Sequence, residues 1–217
     1  MRESRMSLLF ERPGPAGPLP AFGGTEVLAD AVRASVCKVK GSMFAGRKKF
    51  LTEQFGDAEF QAVLARLASK ARAYAATPLS VRWCEFASLV EYDRAIYEQF
   101  SSRHPHILAL VGAASAEFGI GTVYKSLDNA ELIKFLERIP LFHDQYLKFG
   151  RVVFSKTATG AQLSHFDYPC YSPVFCASAT GFFLEAILRH GGRNPQVVEP
   201  QCHCRGDGVC RFDLRWS

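Results

Sequence analysis

The chain has 217 residues, of which 48% are hydrophobic and 22% charged, a balance that suits a globular domain and excludes disorder of the whole chain. No run of 18 apolar residues is free of breakers, so no membrane span is expected. The opening segment lacks the apolar centre of a secretory signal, so the cytoplasm is the expected location. Net charge is +5, and residues 31–72 alone hold nine Lys/Arg against three Asp/Glu; this reads as a solvated helix face, with nucleic acid an unexpected partner.

Four prolines, Pro13, Pro15, Pro18 and Pro20, mark residues 1–28 as a Pro/Gly-rich arm with no core of its own. Residues 29–217 read as one domain. Its first part, 29–149, is mostly helical. Asp57 can cap a helix carrying Phe60, Val63, Leu64 and Leu67. After the break at Thr77-Pro78, helices are expected at about 84–100 and 105–117, the latter stopping near Gly119 and Gly121. Asp128 can cap a short helix with Leu132, Phe135 and Leu136, and Pro140 can open another through Phe142 and Tyr146.

Beyond Gly150 the pattern changes. Residues 151–154 and 162–167 read as paired strands around Gly160. Ser172 and Pro173 open a helix that closes at His190-Gly191. Strands at about 196–204 and 209–215 flank the turn Arg205-Gly-Asp-Gly208. The fold class is therefore α+β: a helical N-terminal half packed on a small antiparallel sheet, with a β-β-α-β-β C-terminal part at 150–217.

Seven cysteines in an apparently cytosolic chain argue for buried thiols or a metal site rather than a disulfide framework. Cys202 and Cys210 are equidistant from Gly206, so a hairpin centred there sets them opposite each other, close enough to share a metal ion. Cys176, in the first turn of the Ser172 helix, can supply a third thiolate. The fourth ligand is open between Glu199, Cys204 and His203. Simple alternation favours Cys204, whereas Pro200 can re-aim Glu199.

The segment from about 150 to 216 resembles a 4-vinyl reductase domain. The matching residues are Gly181-Phe-Phe-Leu-Glu185, Glu199-x-x-Cys202, Gly206 and Cys210-Arg-Phe212. Sensor domains of that family, found in phenol-responsive bacterial activators, bind zinc through a Cys before the helix motif, a Glu and two further Cys. The resemblance therefore implies structural zinc on Cys176, Glu199, Cys202 and Cys210. The longer chain, with Val39-Lys40-Gly41-Ser-Met-Phe44, also resembles uncharacterised myxobacterial proteins carrying such a domain, and distantly the subunits of vesicle-tethering complexes.

Four-coordinate zinc held by protein alone is structural, so a ligand must bind elsewhere. Aromatic residues with a few polar neighbours describe a small-molecule pocket, and Phe142, His143, Tyr146, Phe154, His165, Phe166 and Tyr168 are the expected lining. His143 lies on a helix before the sheet, a place comparable to that of the proximal His in haem nitric-oxide sensors. Their Tyr-x-Ser-x-Arg motif is absent, since Tyr171-Ser172-Pro173 does not supply it, so His143 is expected to be structural. No phosphate loop, His-Glu-x-x-His or Gly-x-Ser-x-Gly motif is present.

The expected function is a non-enzymatic, zinc-stabilised sensor or binding module for a small hydrophobic or aromatic molecule, acting as a homodimer and signalling through a partner protein. The alternative is a dimeric assembly protein like the tethering subunits, using the basic segment Arg47, Lys48 and Lys49 to dock a partner.

Overall fold

The computed structural model describes residues 36–122 and 131–217; the expected arm at 1–28 and the Asp128 cap fall outside them. Strand β1 (Lys38–Lys40) leads into helix α1 (Ser42–Ala65) and α2 (Ser69–Ala76). Helix α1 is broken at Gly56, whose φ of 83° is open to glycine and costly for residues with a Cβ. The break falls one residue before Asp57, and Phe60, Val63 and Leu64 then bury themselves at helical spacing.

Strand β2 (Trp83–Glu85) pairs antiparallel with β1 and sets Cys84 opposite Val39. Helix α3 (Phe86–Phe100) therefore starts two residues later than the periodicity suggests. Helix α4 (Ile107–Thr122) runs through Gly119 instead of stopping there; one helical glycine costs about 1 kcal/mol, which burial of the surrounding apolar run offsets. Helices α5 (Leu132–Leu136) and α6 (Ile139–Tyr146) follow, the latter with Pro140 in its first turn.

The second sheet holds β3 (Arg151–Thr157), β4 (Gly160–Phe166), β5 (Gln196–Gln201) and β6 (Cys210–Arg215) in the order β3-β4-β6-β5, all antiparallel. Helix α7 (Pro173–Arg189) links β4 to β5. Ser172 occupies its N-cap in extended backbone, and Gly191 ends the segment with φ at 88°. The chain is thus an α+β fold, a helical N-terminal half packed on a small antiparallel sheet with a β-β-α-β-β C-terminal part. Among the described residues, no helix is long and apolar enough to cross a membrane.

A close helix crossing joins the halves. Helix α4 lies against α7 with backbone facing backbone: a Cβ on Gly181 would strike the carbonyl of Ala109, and one on Gly112 the carbonyl of Ser178. Only glycine at both positions lets the helices come this close. Within the helical half, Val39 of β1 forms an isolated bridge with Leu147, just past α6, which ties β1 to the segment leading into β3.

Candidate functional site

An apolar cavity of about 140 Å³ lies between the helical half and the C-terminal part. Helix α1 contributes Ser42, Met43 and Arg47, and α4 contributes Gly112, Ser115, Phe118 and Gly119. Helix α6 supplies Ile139, Phe142, His143 and Tyr146, while β3 and β4 give Val152 and His165. Helix α7 presents Phe175, Ser178, Ala179, Phe182 and Phe183, spaced so that one stripe of the helix forms a wall.

Five of the seven expected lining residues are there: Phe142, His143, Tyr146, His165 and Tyr168. Phe154 and Phe166 are not. Phe166 neighbours His165 on β4 and so points to the opposite face of the sheet, where the Arg151 guanidinium sits 4.6 Å from its ring. Phe154 belongs to the inward face with Val152 but lies farther along the strand. The lining from α1 and α4 was not foreseen, because contacts between distant helices leave no local pattern. The α7 wall, Phe175 with Ala179 and Phe182, was readable from helical spacing.

The polar groups of the cavity are few and deeply placed. His143 and His165 are 6% and 9% exposed, and their rings meet edge to face with centroids 6.4 Å apart. His165 Nδ1 and the Tyr168 hydroxyl are hydrogen-bonded at 2.8 Å, and His143 Nδ1 lies 3.1 Å from the Asp144 carboxylate. The Nε2 atoms of both rings are buried without a hydrogen-bond partner, a costly state that marks a ligand contact or a strain site. Burial holds both imidazoles neutral: it pulls His165 down to about 3, with His143 adding to the effect, and pulls His143 down against the opposing pull of Asp144.

Arg47 is the cation in this lining, and it is not the solvated docking residue that the basic segment suggests. It is 1% exposed and grips Asp93 of α3 with both prongs, Nε to Oδ1 at 2.5 Å and Nη2 to Oδ2 at 2.8 Å. A third nitrogen, Nη1, donates to the Met43 carbonyl at 3.0 Å. A buried guanidinium so committed ties α1 to α3 and carries no spare charge.

The cysteine cluster is a separate feature at the start of α7. Cys176, Glu199, Cys202 and Cys210 each offer one ligand atom, and these atoms lie within 4.8 Å of one another. The sulfurs stand 3.7 Å (Cys176–Cys210), 3.9 Å (Cys176–Cys202) and 3.8 Å (Cys202–Cys210) apart. Thiolates about 2.3 Å from one tetrahedral ion are separated by about 3.8 Å. Hairpin register explains the Cys202–Cys210 approach, because Gln201 pairs with Arg211 and the next pair inward is these two cysteines. A bulge between Val198 and Gln201 inserts one residue beside Pro200 and turns Glu199 inward, the re-aiming that the proline allows. Glu199 Oε2 meets Arg205 at 3.3 Å, whereas its buried Oε1 has no partner.

Burial and the Cys202 sulfur push the Glu199 carboxyl up to about 7. Hydrogen bonds from Cys176, Cys204 and Cys210 favour one thiolate on Cys202, and the same bonds hold Cys176 in its thiol form. Cys204 is buried nearby but stands outside the four-residue group, and His203 instead stacks on Tyr171 with centroids 4.1 Å apart.

No protein-family profile and no curated protein matches the chain. Solved structures do. The H-NOX protein of S. oneidensis in its Fe(II)NO ligation state aligns with a TM-score of 0.66 at 13% identity, over 82% of this chain and 99% of that one. The Fe(II) unliganded H-NOX protein of K. algicida aligns with a TM-score of 0.60 at 12% identity, over 82% and 96%. A third, from work on haem distortion in the H-NOX family, gives 0.62 at 12%, over 82% and 95%.

These findings overturn the resemblance to the 4-vinyl reductase domain, and with it the expectation of structural zinc that rested on it. The residues that carried the resemblance have local duties in this fold: Gly181 admits α4, and Gly206 takes a φ of 96° in the turn. Glycines required by packing and turn geometry recur wherever such geometry recurs and do not identify a family. At 12–13% identity, what the chain shares with the H-NOX proteins is their fold, over most of its own length and nearly all of theirs.

Proposed function

We propose that the chain is a non-enzymatic sensor module that takes a small, mainly apolar molecule into the cavity between its halves and passes occupancy to a partner protein. The observation that carries this reading is the apolar cavity walled by two buried imidazoles whose Nε2 atoms lack partners. An apolar chamber of about 150 Å³ accepts a benzene-sized guest, and one or two polar groups in such a wall fix orientation. A ligand hydroxyl or amide would relieve the unpaired nitrogens. The likeness to H-NOX proteins supports a small-molecule module, and the built cavity weighs against an assembly role without a ligand.

Haem, named for the H-NOX family, was tested against the same residues. His143 suits an axial ligand, being buried, neutral and unpaired at Nε2. The rest of the lining does not fit. Haem carries two propionates, and the guanidinium in this wall is already bound to Asp93 by two hydrogen bonds. The chamber also has the size of one ring, well below the roughly 300 Å³ where larger ligand pockets begin. We therefore read the cavity as taking its ligand directly.

The test is native mass spectrometry and thermal unfolding with benzene, phenol, indole and haemin as probes. A one-ring probe should bind with 1:1 stoichiometry and raise the unfolding midpoint, and Ala179→Phe, which fills the chamber from α7, should abolish the rise. A stoichiometric Soret complex with haemin that is lost in His143→Ala would replace this reading with a haem-based one.

We further propose that Cys176, Glu199, Cys202 and Cys210 form a binding site for a metal cation. The sulfur spacing and the unpartnered Glu199 oxygen support it. Cobalt(II) is a suitable probe: thiolate charge-transfer absorbance should appear at one equivalent and disappear in Cys202→Ser. Absence of that band in the folded wild-type protein would remove the site.

A further inference from the structure

A second pair of thiols lies outside both sites. Cys170 Sγ stands 3.0 Å from Cys37 Sγ, across 133 residues of chain. The closest sulfurs in the other cluster are 3.7–3.9 Å apart, the ordinary contact distance. A disulfide needs about 2.05 Å, so the pair has to close by only about 1 Å. Both side chains are buried, and both backbones are tied down or confined. The Phe86 amide donates to the Cys37 carbonyl at 2.9 Å, and β1 begins at the next residue. Cys170 sits in the short connection between β4 and α7. The two thiols therefore face each other across the seam between the helical half and the C-terminal part.

We infer that Cys37 and Cys170 are a redox modification site, closing to a disulfide when the protein meets a peroxide and reopening under thiol reductants. Cys170 also lines a small cavity with His165, Tyr168, Phe175 and Ala179, four residues that wall the ligand chamber too, so one layer of side chains separates the pair from that chamber. The Cys170 thiol gives up its proton and its sulfur attacks one peroxide oxygen; the O–O bond breaks, the departing hydroxide takes that proton, and Cys170 sulfenic acid and water result. The Cys37 sulfur then attacks the Cys170 sulfur. The S–S bond forms, the S–O bond breaks, and the departing hydroxide takes the Cys37 proton and leaves as water. Two thiols are oxidised and one peroxide is reduced to two waters. Burial holds both groups in the thiol form, so closure is faster as pH rises. The inference is independent of the sensor reading.

The experiment uses the full chain, reduced and then treated with hydrogen peroxide, digested after alkylation and mapped by mass spectrometry. The expected product is a linked peptide pair containing Cys37 and Cys170, reversed by dithiothreitol. Closing a loop of this length should raise the unfolding midpoint of the oxidised protein by about 10 °C, with no such rise in Cys170→Ser. Recovery of alkylated Cys37 and Cys170 from oxidised, folded protein overturns the inference, as does oxidation confined to Cys176, Cys202, Cys204 and Cys210. The peptide map needs only the wild-type chain, so a poorly folding variant does not obscure the result.

Discussion

Helix α7 touches the helical half in two ways, and the contrast between them locates the site. Along one stripe, Gly181 meets Ala109 and Ser178 meets Gly112 of α4 with no side chain between the backbones, the second pair also edging the chamber. Along the neighbouring stripe, Phe175, Ala179 and Phe182 face a chamber that side chains from α1, α4 and α6 leave unfilled. Close-packed interiors rarely leave such space. Here a rigid backbone contact sets the spacing, and the adjoining side chains are too few to fill what remains. The dry crossing holds the scaffold, and the open stripe is free for a guest.

The sharpest way to break the crossing is Gly181→Val. Its branched side chain would have to displace the α4 backbone, so we expect a loss of more than about 5 kcal/mol, or no folded protein, by urea denaturation. Next is Asp93→Ala, which leaves Arg47 buried beside the chamber without its carboxylate. The expected loss is about 3–5 kcal/mol, and the double variant Arg47→Met, Asp93→Ala should recover much of it in a double-mutant cycle.

The two cavity histidines give a pH signature that the crossing lacks. Their folded-state pKa values lie below the ordinary 6.5. The unfolded chain therefore takes up protons first, and stability is full above pH 6.5 and falls as pH drops toward about 3. His165 should contribute about 1.4 kcal/mol per pH unit in that window, and His143 adds to the fall in the same direction. From pH 6.5 to 5 the expected loss through His165 is about 2 kcal/mol, and His165→Phe should remove that share from the slope. The smallest effect belongs to Ala179→Leu on the open stripe. Filling space without displacing backbone should change stability by no more than about 1 kcal/mol, while the midpoint rise produced by a one-ring ligand is lost.

Much of the C-terminal part was readable from the chain itself. Ser172-Pro173 and Gly191 bound α7, Gly160 opens β4 just past the turn from β3, and the symmetry of Cys202 and Cys210 about Gly206 predicts their approach. Glu199 was readable only as one of three candidates, because the choice depends on a bulge whose one-residue shift reverses which face a side chain takes. Arg47 was misjudged as solvent-facing: composition counts its charge, but Asp93 reaches it only when α3 packs against α1. Phe154 and Phe166 were placed in the pocket by composition, and strand parity and position along the sheet put them elsewhere.

The amino-acid sequence by itself determined most of the elements, their order and the α+β class, though not the short β1–β2 pair, because hydrophobic period, caps and turn glycines act within a few residues of one another. Tertiary structure decided where the chamber lies, which histidine nitrogens go unpaired, and that Cys37 meets Cys170 across 133 residues. Those properties depend on distances between segments remote in the chain, and such distances are settled only when the backbones pack.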